Sequence, residues 1–275
     1  MVLTLAQLTV NFLDLYQQKE NTQRSYLSVL SPLLDRYGSR PMDEIATHDL
    51  EIYLESLNSL AISTRGRHRT IIGTLFNYAL REGYILYNPL DRLPALQVPD
   101  RAIAYFTPEQ LDRLYSLLSE QRTPEGHRLH AIVRLLHRTG AKVSEVLSLD
   151  LEDIDLEARR ISVTGYRNRI RSLSFSEDAG SVLESYLDRY RYPGHPALFT
   201  FCKRGTKEVI RLPYSILYRD WQKLIASSPD LKSFRINDLR HTFAIERVGV
   251  VPIDLLQEWM GHEDIKMTLK YKKCI

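Results

Sequence analysis

At 275 residues, with 44% apolar and 26% charged side chains, the chain can bury a core in each of two compact domains without staples. A formal net charge of +3 permits nucleic-acid binding without demanding it, and the two cysteines, Cys202 and Cys274, lie far apart without metal-ligand spacing. A disulfide framework and a zinc site are therefore not expected, nor is a membrane span or secretion: no apolar run approaches about eighteen residues, and MVLTLAQLTVNFLDLY lacks the basic flank and cleavage site of a signal peptide. A reducing cytoplasm is the expected setting.

Apolar residues recur at helical spacing in Leu5, Leu8, Phe12, Leu13 and Tyr16, and again in Tyr26, Val29, Leu30, Leu33 and Leu34. Asp43-Glu44 and Thr47-His48-Asp49 read as entrances to further helical turns, and Thr70 to Gly83 carries an apolar face through Ile72, Leu75, Phe76 and Leu80. The proline-bearing stretch from Asn88 to Asp100 has little periodicity and places a linker over 97–105, between a helical domain at 1–96 and a second domain at 106–275. Thr107-Pro108-Glu109-Gln110 supplies an N-cap, a first-turn proline and a capping-box partner, so a helix starts there. Helices over Arg128 to His137 and Ser144 to Leu149 break at Thr139-Gly140. Residues 160–163 and 172–175 alternate as two strands of a hairpin turning at Gly165 to Asn168, and the rest, from Ala179, reads as mostly helical.

The basic residues are clustered. Arg65, Arg67, His68 and Arg69 form one group, and Arg159, Arg160, Arg167, Arg169 and Arg171 another. Either suits a phosphate track or a solvated charged face.

Two segments carry chemistry. One is Thr139-Gly140-Ala141-Lys142-Val143-Ser144-Glu145, continuing to Leu149. The other is Asn237-Asp238-Leu239-Arg240-His241-Thr242-Phe243-Ala244, then Met260-Gly261-His262, then Thr268 and Tyr271, nine residues after His262. Attack of a side-chain oxygen on a phosphodiester needs cations on the nonbridging oxygens, proton transfer at both ends and a placed nucleophile. Arg240 offers a planar two-point grip on phosphate, and His262 another donor. Tyr271 is one of sixteen tyrosines. Lys270, Lys272 and Lys273 beside it are expected to hold phosphate or to lower the phenol pKa. His241 is expected to point away as a structural residue.

In order and spacing these segments resemble the catalytic domain of the tyrosine recombinase (phage integrase) family, whose pattern runs TG-x-R-x-SE-x-x-x-L, a basic hairpin, H-x-L-R-H, L-G-H and a tyrosine. The resemblance implies a mainly α fold with a small β-hairpin or sheet, an α+β catalytic domain within a two-domain DNA clamp. Residues 1–96 would be the helical, SAM-like core-binding domain. The resemblance singles out Tyr271 by its spacing from Gly261-His262 and implies a 3′-phosphotyrosyl intermediate on it, with Arg240, His262, Lys142 and Asn237 as the other catalytic positions and no cofactor or metal. Arg65, Arg67, Arg69, Tyr166, Arg167, Arg169 and Arg171 would contact double-stranded DNA. The partners implied are DNA, a homo-oligomer (a tetramer on two DNA sites) or a partner recombinase, and no membrane.

Three positions depart from the pattern. Lys142 stands where the family has arginine, keeping the charge and losing the fork. Asn237 replaces a histidine, cannot serve as a base near neutral pH, and suits an N-cap for the helix carrying Arg240. Tyr166 falls on the hairpin lysine that protonates the departing oxygen. Two readings stay open: a site-specific recombinase, or a DNA-binding pseudo-recombinase with an accessory or regulatory role. A helix-turn-helix regulator would leave the ordered motifs of the second half unexplained. Only Lys272, Lys273, Cys274 and Ile275 follow Tyr271 here, which argues against assembly through a docking tail.

Overall fold

The computed structural model describes residues 3–16, 20–99 and 102–274, which fall into two compact units, one within 1–101 and one within 102–275. Asp100 and Arg101 of the expected linker lie outside the described residues.

The first unit is helical: α1 (Leu5–Asp14), α2 (Glu20–Tyr37), α3 (Thr47–Ser56) and α4 (Ile62–Arg81). Thr4 opens α1 through a capping box, its hydroxyl accepting from the Gln7 amide at 3.3 Å while the Gln7 side chain accepts from the Thr4 amide at 3.0 Å. Leu5, Leu8 and Phe12 then face one another's helical neighbours Leu30, Leu33, Ile72, Leu75 and Phe76 in a closed core. Part of the stretch read as unstructured belongs to this unit, because Pro89 and Leu90 are buried in a 3₁₀ turn over Pro89–Arg92. Asn88 makes that turn, its side chain accepting from the Leu90 amide at 3.0 Å and donating to Asn77 at 2.7 Å.

The second unit begins with α5 (Pro108–Ser119), capped by Thr107 and Gln110, and α6 (Pro124–Thr139), capped by Thr123 and ended by Gly140. After α7 (Val143–Ser148), β1 (Ile154–Asp155), β2 (Arg160–Thr164) and β3 (Ile170–Ser174) form an antiparallel sheet in the order β1-β2-β3. Ile161 pairs with Leu173, and their shared face, with Val163, packs into the core.

α8 (Glu177–Arg189) follows, then β4 (Thr200–Cys202) and β5 (Val209–Arg211), an antiparallel pair that the sequence reading took for helix. α9 (Tyr214–Ile225) carries the fully buried Trp221, whose indole N–H donates to the Phe234 carbonyl at 3.1 Å. The chain closes with α10 (Asp238–Arg247), α11 (Ile253–Met260), α12 (Ile265–Leu269) and a 3₁₀ turn over Lys270–Cys274. Their apolar faces form a separate cluster of Phe243, Ala244, Val248, Leu256 and Met260, joined by Tyr271. The fold is thus mainly α with a small antiparallel sheet. Among the described residues no helix is long and apolar enough to cross a membrane.

Candidate functional site

The site is built around two helix ends. α6 stops because Gly140 takes the left-handed conformation (φ 65°), where a Cβ would come within 2.3 Å of the Phe243 ring. α11 stops the same way at Gly261 (φ 60°), where a Cβ would meet the Arg171 guanidinium at 2.8 Å. Both ends leave carbonyls without helical partners, and arginines take them up. Arg240, buried on α10, donates to the carbonyls of Gly140 and Met260.

Among the described residues no carboxylate hydrogen-bonds to Arg240; its direct partners are main-chain carbonyls, and N–H groups remain for an outside acceptor. Burial draws its guanidinium down to about 10, aided by Arg171 and opposed by Glu145 and Tyr271. It stays protonated at neutral pH.

Glu145 lies beneath it, with its side chain 4% exposed. Arg171 grips it through both oxygens, Nη1 to Oε1 at 3.0 Å and Nη2 to Oε2 at 2.7 Å, and donates from Nε to the Trp259 carbonyl at 3.0 Å. Burial pushes the Glu145 carboxyl up, yet Arg171 and the Lys142 amide together hold it below its ordinary value. Arg171 was expected on a DNA track; here it points inward and is committed to this pair. The Lys142 ammonium lies half-exposed 3.9 Å from Glu145, at the solvent side of the same group.

Asn237 occupies the residue before α10 but is exposed, and its side chain makes no cap hydrogen bond. The expected side-chain cap is absent; its neighbour Asp238, fully buried, instead ties down the preceding turn, accepting from the Arg235 amide at 2.8 Å and from the Arg235 guanidinium at 3.3 Å. The next departure from expectation is His241. Rather than pointing away, its Nδ1 lies 2.9 Å from the Tyr271 phenol oxygen.

His262, in the turn after α11, is held by its Nδ1 against the Thr268 hydroxyl at 2.9 Å, which leaves Nε2 for another partner. Burial first, then the charges of Arg240, Lys142 and Arg171, push this imidazole down to about 4. It is neutral at neutral pH. Its ring faces that of Tyr271, with centroids 6.3 Å apart and planes 13° from parallel. Tyr271 is 4% exposed, turned into the apolar cluster. Burial raises its phenol above 10 against the pull of Arg240; the exposed Lys270, Lys272 and Lys273 do not lower it.

Arg240, Glu145, Arg171, Lys142, His262, His241 and Tyr271 thus form one net-cationic cluster, linked by ion pairs, hydrogen bonds, ring contacts and mutual charge effects. The remaining basic positions divide. Tyr166, Arg167 and Arg169 are exposed on the β2-β3 turn, where Arg167 lies over the Tyr166 ring at 5.3 Å. In the first unit Arg69 is tied to the carbonyls of Leu90 (3.2 Å) and Leu93 (2.8 Å), Arg67 bonds Ser25, and Arg65 is half-buried. Among the described residues no cluster of His, Cys, Asp or Glu is placed to hold a metal ion. A cavity of about 880 Å³ beside α6, β4 and α9 shares none of the residues grouped with Arg240.

The family model described as "Phage integrase family" matches residues 104–274. The tyrosine recombinase XerC of Herpetosiphon aurantiacus is 31% identical over 217 residues, 77% of this chain and 69% of that protein. XerC of Mycobacterium leprae is 27% identical over 271 residues, covering 92% and 88% of the two chains. Among solved structures, the Tn1549 transposon integrase in complex with transposon right end DNA superposes with a TM-score of 0.81 at 20% identity, covering 98% of this chain and 94% of that one. A lambda integrase dimer bound to a COC′ core site gives 0.75 at 16% identity, covering 98% and 77%. At these identities the structural likeness speaks for the fold.

Proposed function

Because this chain belongs to the phage integrase family, we propose that it is a tyrosine recombinase, which cleaves and rejoins double-stranded DNA at specific sites through a 3′-phosphotyrosyl bond to Tyr271. The observation that carries this reading is the convergence of Tyr271, Arg240 and His262: the guanidinium charge acts on both the phenol and the imidazole, and the two rings face each other.

In this reading the free N–H groups of Arg240 bind the nonbridging oxygens of the scissile phosphate, His262 donates from Nε2, and the Lys142 ammonium adds charge from the solvent side. Tyr271 attacks phosphorus. The phosphodiester energy is kept in the protein-DNA link, so the exchange needs no ATP and no cofactor. Arg167, Arg169 and Tyr166 on the hairpin, with Arg65 and Arg67 in the domain at 1–96, are the proposed DNA-backbone contacts. Arg69 and Arg171 support the protein instead. The lambda integrase dimer bound to its core site supports assembly of this chain with further copies on DNA; a partner recombinase and a cytoplasmic setting belong to the same proposal.

The test is incubation with a nicked duplex that traps the cleaved state, followed by mass spectrometry. A DNA adduct on the peptide bearing Tyr271, absent in Tyr271→Phe, is expected; no adduct on a duplex the protein demonstrably binds would overturn the enzyme.

A DNA-binding pseudo-recombinase is the second reading. It is favoured by Lys142 leaning toward Glu145, by the exposed Asn237, whose side chain makes no cap hydrogen bond, and by a phenol that burial keeps protonated. Under it, wild-type protein binds without cleaving, and the triple change Lys142→Arg, Asn237→His, Tyr166→Lys switches cleavage on.

A further inference from the structure

Asn237 cannot accept a proton near neutral pH and has no bond to the nucleophile, which leaves the phenol without the base its family pattern supplies. Another imidazole is nearer. Helical phase sends Arg240 into the core and turns the next residue, about 100° on, toward the 3₁₀ turn that carries Tyr271. There His241 Nδ1 meets the phenol oxygen at 2.9 Å, with ring centroids 5.8 Å apart. His262 is not equivalent, since its Nδ1 is engaged by Thr268.

We propose that His241 is the catalytic proton acceptor for Tyr271, standing in for the histidine missing at 237; this role rests on the recombinase reading above. The phenol donates to Nδ1, so the neutral ring carries its hydrogen on Nε2. In cleavage the Tyr271 oxygen forms a bond to phosphorus and its proton passes to Nδ1, leaving an imidazolium. The bond from phosphorus to the 5′ oxygen breaks, and that oxygen leaves as a hydroxyl with a proton from solvent water. In rejoining, the 5′ hydroxyl attacks, its proton returns to water, and Nδ1 gives its proton back to the departing phenolate.

The surroundings suit the role. Burial pushes His241 below 6.5, Asp238 pulls it up, and Arg240 and Arg235 push it down; Tyr271 and His262 face it from the other elements. The ring is therefore neutral and able to accept at neutral pH, and an acid limb is expected below that range.

His241→Gln keeps a hydrogen-bond acceptor near the phenol but cannot take its proton. Adduct formation on a nicked duplex is followed across the acid and neutral range for wild type and variant, with DNA binding and thermal melting as controls of fold. The variant should be slower by on the order of 10²-fold or more and should lose the wild-type acid limb, and imidazole added to His241→Gly should restore part of the rate. Wild-type cleavage with an unchanged rate and acid limb in His241→Gln refutes the His241 role alone, whereas no wild-type adduct refutes the recombinase reading and this role with it. Should the variants fail to fold, ¹⁵N-histidine NMR of the wild-type protein decides. A bare Nδ1 on His241 that shifts in Tyr271→Phe supports the proposal, and a protonated Nδ1 donating to the phenol overturns it.

Discussion

Arg171→Met separates two roles for a hairpin arginine. As a DNA-backbone contact, its loss would weaken binding across all sequences and reduce the salt slope by about one. As placed here, its loss would leave Glu145 in a site where the two side chains are only 10% and 4% exposed, and would empty the bond to the Trp259 carbonyl. Removing one partner of such a pair costs about 3–5 kcal/mol, because the stranded charge must stay buried or protonate. At about 2–4 °C per kcal/mol for a unit of this size, the melting midpoint should fall by roughly 6–20 °C. Both tryptophans, Trp221 and Trp259, lie in the second unit, so intrinsic fluorescence follows its unfolding separately from the first. The double variant Arg171→Met/Glu145→Met should recover most of the loss, since an apolar pair of similar volume leaves no charge behind. Because Glu145 is held below its ordinary 4.5, its contribution is present above that pH and disappears as the pH falls through the lowered folded value. An Arg171→Met protein that melts with wild type and loses DNA affinity instead would refute the assignment.

Gly140→Ala places a Cβ at positive φ and into the Phe243 ring, which should destabilise the second unit by about 2–4 kcal/mol in denaturant titration; an unchanged midpoint would refute the left-handed cap. Asp178, which accepts from Arg134, Arg138 and Ser176, is held down to about 2. Its stabilisation should be intact above about pH 4 and be lost as the pH falls toward 2, a dependence that Asp178→Asn should flatten in acid unfolding. Arg167→Ala and Arg169→Ala should each lower the salt slope of DNA binding by about one without moving the melting midpoint. Arg69→Ala should do the reverse, since its guanidinium fastens the Pro89–Arg92 turn to α4; any other partition in a salt titration paired with thermal melts would overturn this division.

Local signals in the sequence were read correctly where a short-range rule decides. The Thr107 capping box, the break after Thr139 and the β2-β3 alternation are each fixed by residues within a few positions. β4 and β5 escaped because strands of three residues show no alternation, and their pairing depends on a partner some ten positions away.

The inward turn of Arg171 was available in principle. It shares the two-residue period with Leu173, so the core face of β3 includes it, but clustering with Arg167 and Arg169 suggested a surface. His241 carried no such signal. Its meeting with Tyr271 is set by how α10 packs on the final turn, thirty residues downstream, and charge counting at Lys270, Lys272 and Lys273 likewise missed that the phenol faces the core.

Arg240 is aimed by oxygens that every residue possesses. A substitution at Met260 that keeps α11 intact keeps the acceptor, so the guanidinium's direction is insensitive to side-chain chemistry there and sensitive to the path of the main chain. The vulnerable places are the two left-handed glycines: a change that redirects the backbone at Gly140 or Gly261 swings an acceptor away and lets the arginine drift, even with every charged residue still in position.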